Sequence, residues 1–162
     1  MAQIGGSMAA RKALPDEDHV MRFAPQSRQI IGPDGERGGP SPAAFELREA
    51  DKGGLSVTWV EYFGGFDRAS RSAAAAAHRE TLREKRLPAS AIFAWAKVAE
   101  IKAAGKVYRK AIRVVHDPVP GNVGHAEIRH FTDDDLDLLE YMASDVFTNY
   151  DRVNAMDIPP RP

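Results

Sequence analysis

The stretch VYRKAIRVVHDPVPGNVGHAEIRHF, residues 107–131, reads as a strand, a turn-rich loop and a returning strand. Residues 108–116 carry the β-branched side chains that suit a pleated, half-buried surface. Pro118 and Pro120 lack the N–H that a ladder needs, and they hold the PVPGNVG segment outside the sheet. Residues 125–131 then return. His125, Glu127 and Arg129 fall on one face, and Ala126, Ile128 and His130 on the other, because successive strand side chains alternate.

Upstream, LSVTWVEYF (residues 55–63) alternates Leu55, Val57 and Trp59 with Ser56 and Thr58, the period of a strand with one buried face. Gly53-Gly54 joins it to AAFELR (residues 43–48), and the two runs read as an antiparallel hairpin. Residues 19–23 make a short strand that Pro25 ends. Residues 24–42 hold four Pro and four Gly and read as a long loop, either a lid or a surface excursion. After Gly64-Gly65, Asp67 caps a helix read over residues 68–86, favoured by five successive alanines and stopped by Pro88. IFAWAKVAEIKAAG (residues 92–105) reads as a second helix with Gly105 just past its end, while residues 91–95 stay open to a strand reading. Thr132 caps the last helix with Asp135 in support. Leu136, Leu139, Ala143, Val146, Phe147 and Tyr150 give that helix one apolar face for the sheet.

These elements predict an α+β fold. The expectation is a single domain over residues 18–151, a mainly antiparallel sheet of roughly four or five strands with two or three helices packed on one face. Residues 1–17 are expected to be a disordered tail in which Gly5-Gly6-Ser7 resembles a cloning linker ahead of a start at Met8. Residues 152–162, ending in PPRP, are expected to be a flexible tail.

Composition bounds the chemistry. With 162 residues, 43% of them hydrophobic and 28% charged, the chain supports one domain with a core of its own. It contains no cysteine, which excludes disulfides, thiolate nucleophiles and cysteine-ligated metals and fits a reducing, cytoplasmic compartment. No apolar run has transmembrane length, and no membrane partner is expected. The net charge of −1 conceals a segregation: 7 Lys and Arg against 10 Asp and Glu in residues 1–67, 12 against 3 in residues 68–113, and 3 against 10 in residues 114–162. On the first helix Arg68, Arg71, Arg79, Arg83 and Arg86 form one basic stripe. Such a stripe serves a phosphate or nucleic-acid face, or it is cancelled by the acidic segments packing beside it; the near-neutral total makes nucleic acid the lesser expectation.

The candidate site follows from the opening stretch. His116, His125 and His130 suggest an all-His metal site, but two strand histidines five residues apart face opposite sides, so no metal site is expected. What remains is His116, Asp117, Asn122, His125, Glu127 and Arg129. His116, His125 and Glu127 are the candidate catalytic residues, since His titrates near neutrality and a carboxylate can orient its ring. Arg129, Asn122 and Asp117 are the candidate substrate-binding residues, Arg129 being suited to bidentate phosphate recognition. The ordinary alternative makes Asp117 and Asn122 turn formers and Arg129 a surface ion-pair partner. His78, in the alanine-rich helix, is expected at the surface. GERGG lacks the Lys-Ser/Thr of a P-loop, and no GxSxG or HExxH motif is present.

Residues 43–65, AAFELREADKGGLSVTWVEYFGG, and residues 113–131, RVVHDPVPGNVGHAEIRHF, resemble a family of small bacterial proteins of unknown function that carry similar AFELR, LSV-x-W and HAxxR strings. The resemblance implies a bacterial, single-domain protein and brings no catalytic residue and no cofactor with it. Two functional expectations stand: a cytoplasmic interaction or accessory module that engages a partner protein or a second copy of itself, and a protein that binds or hydrolyses a phosphate-bearing substrate, nucleotide or nucleic acid through the His/Glu/Arg cluster.

Overall fold

A computed structural model, in which residues 11–47 and 53–162 are described, takes the chain through β1 (His19–Ala24), β2 (Gln29–Ile31), β3 (Arg37–Pro40), β4 (Gly54–Trp59), α1 (Arg68–Arg79), β5 (Ile92–Lys97), α2 (Val98–Val107), β6 (Arg113–His116), β7 (His125–Arg129), α3 (Leu136–Tyr141) and β8 (Asn149–Arg152). Six strands form one antiparallel sheet in the order β6-β7-β4-β1-β5-β8, while β2 and β3 pair as a separate ribbon. The α+β reading and the opening hairpin of β6 and β7 both hold.

The helices do not share one face. Val20, Leu55, Val57, Ile92, Ala94, Ala126 and Ile128 pack beneath α2 and α3, whereas Met21 and Phe93, their neighbours in sequence, meet Ala74 and Ala75 of α1 on the opposite face. The cause lies in β1 and β5, which carry apolar side chains on successive residues and so have two faces to bury. In β5, Ile92, Phe93, Ala94 and Ala96 are all buried. An unbroken apolar run of that length carries no period, and residues 92–97 accordingly form a strand where a helix was the main expectation.

Other boundaries shift for local reasons. The expected pairing of residues 43–48 with β4 does not form. Pro42–Phe45 is a 3-10 turn, residues 48–52 lie outside the described part, and both edges of β4 are taken, by β1 and β7. The Pro- and Gly-rich loop contains the β2–β3 ribbon, turned at Gly32–Gly35 by a bond from the Gly35 N–H to the Gly32 carbonyl (3.0 Å). Helix α1 ends at Arg79 rather than residue 86, where the Thr81 hydroxyl bonds back to the His78 carbonyl at 2.7 Å and competes with the helical ladder. The last helix stops at Tyr141, passes through a π-turn at Met142–Val146, and gives way to β8, which pairs with the edge of β5.

Gly105 sits within α2, not past it. A Cβ there would lie 2.8 Å from the Lys110 carbonyl oxygen and 2.9 Å from Ile112. The helix closes instead at Arg109, with φ of 62°, where the Lys110 N–H reaches the Gly105 carbonyl (2.8 Å) and the Arg109 N–H the Lys106 carbonyl (3.1 Å), a Schellman closure. Alanine at Gly105 gains about 1 kcal/mol of helix propensity, but overpacking against backbone costs about 1–3 kcal/mol. Gly105→Ala is therefore expected to be destabilised by about 1 kcal/mol, from that same balance. Urea unfolding of the two proteins reads the sign, and a stabilised variant would show that the Lys110 carbonyl yields freely.

Both ends of the described chain pack onto the domain. Ahead of β1, Lys12 and Leu14 bond to the edge of β6 at the backbone of His116 (2.8 Å) and Val114 (3.0 Å). After β8, in the stretch expected to be loose, Val153, Met156 and Ile158 pack on the α1 side. Together with β8, this stretch engages three arginines of the basic stripe. Arg68 pairs with Asp157 (2.8 Å), Arg71 with Asp151 (2.8 Å), and the Arg79 guanidinium donates to the Pro159 carbonyl (2.7 Å). The acidic C-terminal part thus lies against the basic helix, and Arg68 and Arg71 of the stripe are ion-paired within the molecule. Among the described residues, no helix is long and apolar enough to cross a membrane.

Candidate functional site

The strand register separates the histidines of the opening stretch. His116 is paired with Ala126, whose side chain belongs to the core beneath α2 and α3. Its ring lies on that face, against Trp59 (5.1 Å) and Tyr62 (5.4 Å), with Nε2 2.8 Å from the Val123 carbonyl oxygen. His125 is paired with Thr58 and points to the α1 face. The two candidate catalytic histidines therefore do not converge. His130, at φ of 79°, is exposed and bonds to the Ala111 carbonyl. Glu127 is bonded by Arg11 (2.8 Å) and by Arg129. Asn122 is fully buried; its amide donates to the Thr58 hydroxyl (2.9 Å) and its side-chain oxygen accepts from the Gly124 N–H (3.0 Å), fixing the loop to β4. Among the described residues, no group of three or more His, Asp or Glu side chains is placed to hold a metal ion.

A different constellation surrounds His125. Alternation along β4 turns Ser56 and Thr58 away from Leu55 and Val57, and the β4–β7 register sets Ser56 diagonally beside His125. The His125 Nε2 lies 3.0 Å from the Ser56 hydroxyl, and its Nδ1 lies 2.7 Å from the Asp117 main-chain oxygen and 3.5 Å from that residue's carboxylate. Of the predicted site residues, then, His125 and Asp117 come together, with Ser56 as a third member, while Glu127 and Arg129 pair with each other and Arg11 bridges Glu127 to Asp117 (3.3 Å).

These groups open into a cleft of about 490 Å³ between the sheet and the end of α1. Arg22, Arg28 and Arg83 line it together with Ser56, His78 and His125; Phe23, Leu82 and Val119 form its apolar walls, and no Asp or Glu is among the described residues that line it. Arg22 arises from β1, where only Val20 and Met21 stay in register with β4. Its guanidinium donates to the Ala44 carbonyl (2.7 Å) and to the Ser56 carbonyl (2.9 Å). Arg28 is anchored on the Ala43 carbonyl at 2.9 Å. Of the basic stripe, Arg83 alone reaches the cleft; Arg86 lines a smaller hollow beside Met156 and Ile158.

His78 faces the same cleft from α1. Its ring packs on Phe23 (4.9 Å) and Phe93 (5.7 Å), and its Nε2 is buried without a hydrogen-bond partner among the described residues. Burial pushes its pKa down to about 3, and the Arg22 guanidinium pushes the same way. It is therefore neutral at physiological pH, and it is half-buried where a surface position was expected, because the alanines around it let α1 approach the sheet closely enough to cover part of the imidazole. Arg22, Arg28, Ser56 and His78 carried no motif. Only the alternation that turns Ser56 off the core face was visible beforehand.

No protein-family model matches this chain, and no curated protein and no solved structure matches it either.

Proposed function

We propose that the protein binds a small phosphate-bearing molecule in the arginine-lined cleft. The observation that carries this reading is the placement of Arg22, Arg28 and Arg83 around one cleft, with no carboxylate among the described residues lining it. Arginine presents a planar fork of donors matched to phosphate oxygens, and a concave site with low-dielectric walls strengthens that attraction. The volume of about 490 Å³ falls within the range that small-molecule sites occupy. The neutral imidazole of His78, with a buried ring nitrogen unbonded among the described residues, offers the polar contact that an occupant would complete. A cytoplasmic location, in keeping with the absence of cysteine, supplies such ligands. The charge map lends less to the interaction-module reading than it promised, since Arg68, Arg71 and Arg79 are engaged within the chain. What favours that second reading is the β2–β3 ribbon, on which Ile30 and Ile31 stand 47% and 60% exposed.

Isothermal titration with inorganic phosphate and nucleoside monophosphates tests the proposal. Saturable binding is expected, weakened about 10–100-fold in Arg28→Ala, the loss typical of one hydrogen bond to a charged group. Absence of binding to any phosphate, or binding as tight as the wild type's in both Arg28→Ala and Arg83→Ala, would sink it. Native mass spectrometry separates the second reading, for which Ile31→Asp should dissolve a dimer or a captured partner.

A further inference from the structure

We infer that Ser56 is a nucleophile and His125 its general base, so that the cleft transfers a phosphoryl group through a covalent seryl intermediate; this rests on the reading of the cleft as a phosphate site. The tautomer follows from geometry. A main-chain carbonyl can only accept, so the 2.7 Å contact with the Asp117 oxygen places the imidazole proton on Nδ1. Nε2 is then left with its lone pair facing the Ser56 hydroxyl at 3.0 Å, which donates to it. This is the arrangement a serine nucleophile needs: a base within hydrogen-bond reach, itself oriented by a third group. The Asp117 carboxylate, 3.5 Å from Nδ1, stabilises the imidazolium once it forms.

A purely structural hydrogen bond explains the placement less well. Ser56 and His125 both line the cleft instead of the core, and three arginines line the same cleft. Arg22, bonded to the Ser56 carbonyl at 2.9 Å, brings a fixed positive charge next to the attacking residue, where developing negative charge is best stabilised.

The reaction balances without any further reagent. The Ser56 Oγ attacks phosphorus while its proton passes to His125 Nε2, the bond from phosphorus to the leaving oxygen breaks, and the imidazolium returns that proton to the departing alkoxide. Water then attacks the phosphoseryl group and gives one proton to His125. The bond to Ser56 Oγ breaks, and the proton passes to that oxygen. A phosphate ester and water become an alcohol and phosphate.

The test uses the full chain with p-nitrophenyl phosphate and, separately, with an alkyl fluorophosphonate. Release of p-nitrophenol or a single covalent adduct on the peptide carrying Ser56 is expected, and Ser56→Ala should abolish the signal while still binding inorganic phosphate. His125→Gln should slow it about 10²–10⁴-fold, the usual range for losing a general base, with partial recovery when imidazole is added. A wild-type protein that binds phosphate but gives neither signal would overturn the inference and leave the binding reading standing. A protein that does not bind phosphate overturns both. A signal that persists in Ser56→Ala overturns the nucleophile assignment.

Discussion

Phe147→Ala is expected to lower the stability of the protein by about 3–5 kcal/mol, the range for deleting a buried aromatic ring. Phe147 is fully buried, and its ring lies 4.9 Å from that of Phe45, also fully buried. The two rings come from segments with little secondary structure to hold them: Phe45 from a 3-10 turn, and Phe147 from the residue that closes the π-turn, its N–H bonded to the Met142 carbonyl at 2.8 Å. Packing between the rings therefore fixes where both segments sit, including the Ala44 carbonyl that holds Arg22 beside the cleft. A lower urea midpoint at unchanged slope is the expected signature. In the double variant with Phe45→Ala the two losses should fall short of additivity by about 0.5–3 kcal/mol, as they do for residues in contact. A loss below about 1 kcal/mol, outside the range for such deletions, would mean the site collapses around the gap and that the rings do not set the segments.

What could be read from the chain, and what could not, follows from which physical signals are local. The β6–β7 hairpin was legible because two prolines punctuate it, and β4 because its face alternates. β5 was not, since burial on both sides removes alternation and leaves a run that fits a helix equally well. The apolar spacing from Leu136 to Tyr150 is genuine, yet helix α3 ends at Tyr141 because the open edge of β5 offers Asn149–Arg152 backbone partners that a longer helix would forgo. For the site, sequence led to His125 and Asp117, which share a hairpin and so have a predictable separation. Ser56 reaches His125, and Arg22 reaches Ser56, only through the pairing of β4 with β7 and β1, and pairing partners are not encoded in any one strand. His116 was drawn in by proximity along the chain, and register then places it on the other face of the sheet.

Acid should destabilise the protein through His78. Its folded-state pKa is held down to about 3, below its ordinary value of 6.5. The unfolded chain therefore takes up the proton first. The contribution is fully present above pH 6.5, falls as the pH drops through the window, and levels off near pH 3. Each pH unit inside that window is worth about 1.4 kcal/mol, so a fall from neutrality to about pH 4.5 removes on the order of 2–3 kcal/mol. His78→Phe keeps a flat ring against Phe23 and Phe93 while deleting the titration. The stability difference between the wild type and this variant, measured by urea unfolding across that pH range, should shift by about that amount in favour of phenylalanine as the solution becomes acidic. Parallel pH profiles for the two proteins would show that His78 is solvated or paired when folded. Inorganic phosphate links this result to the cleft. An anion bound beside the ring favours its charged form, so phosphate should protect the wild type from acid more than it protects His78→Phe, whereas an occupant elsewhere would protect both alike.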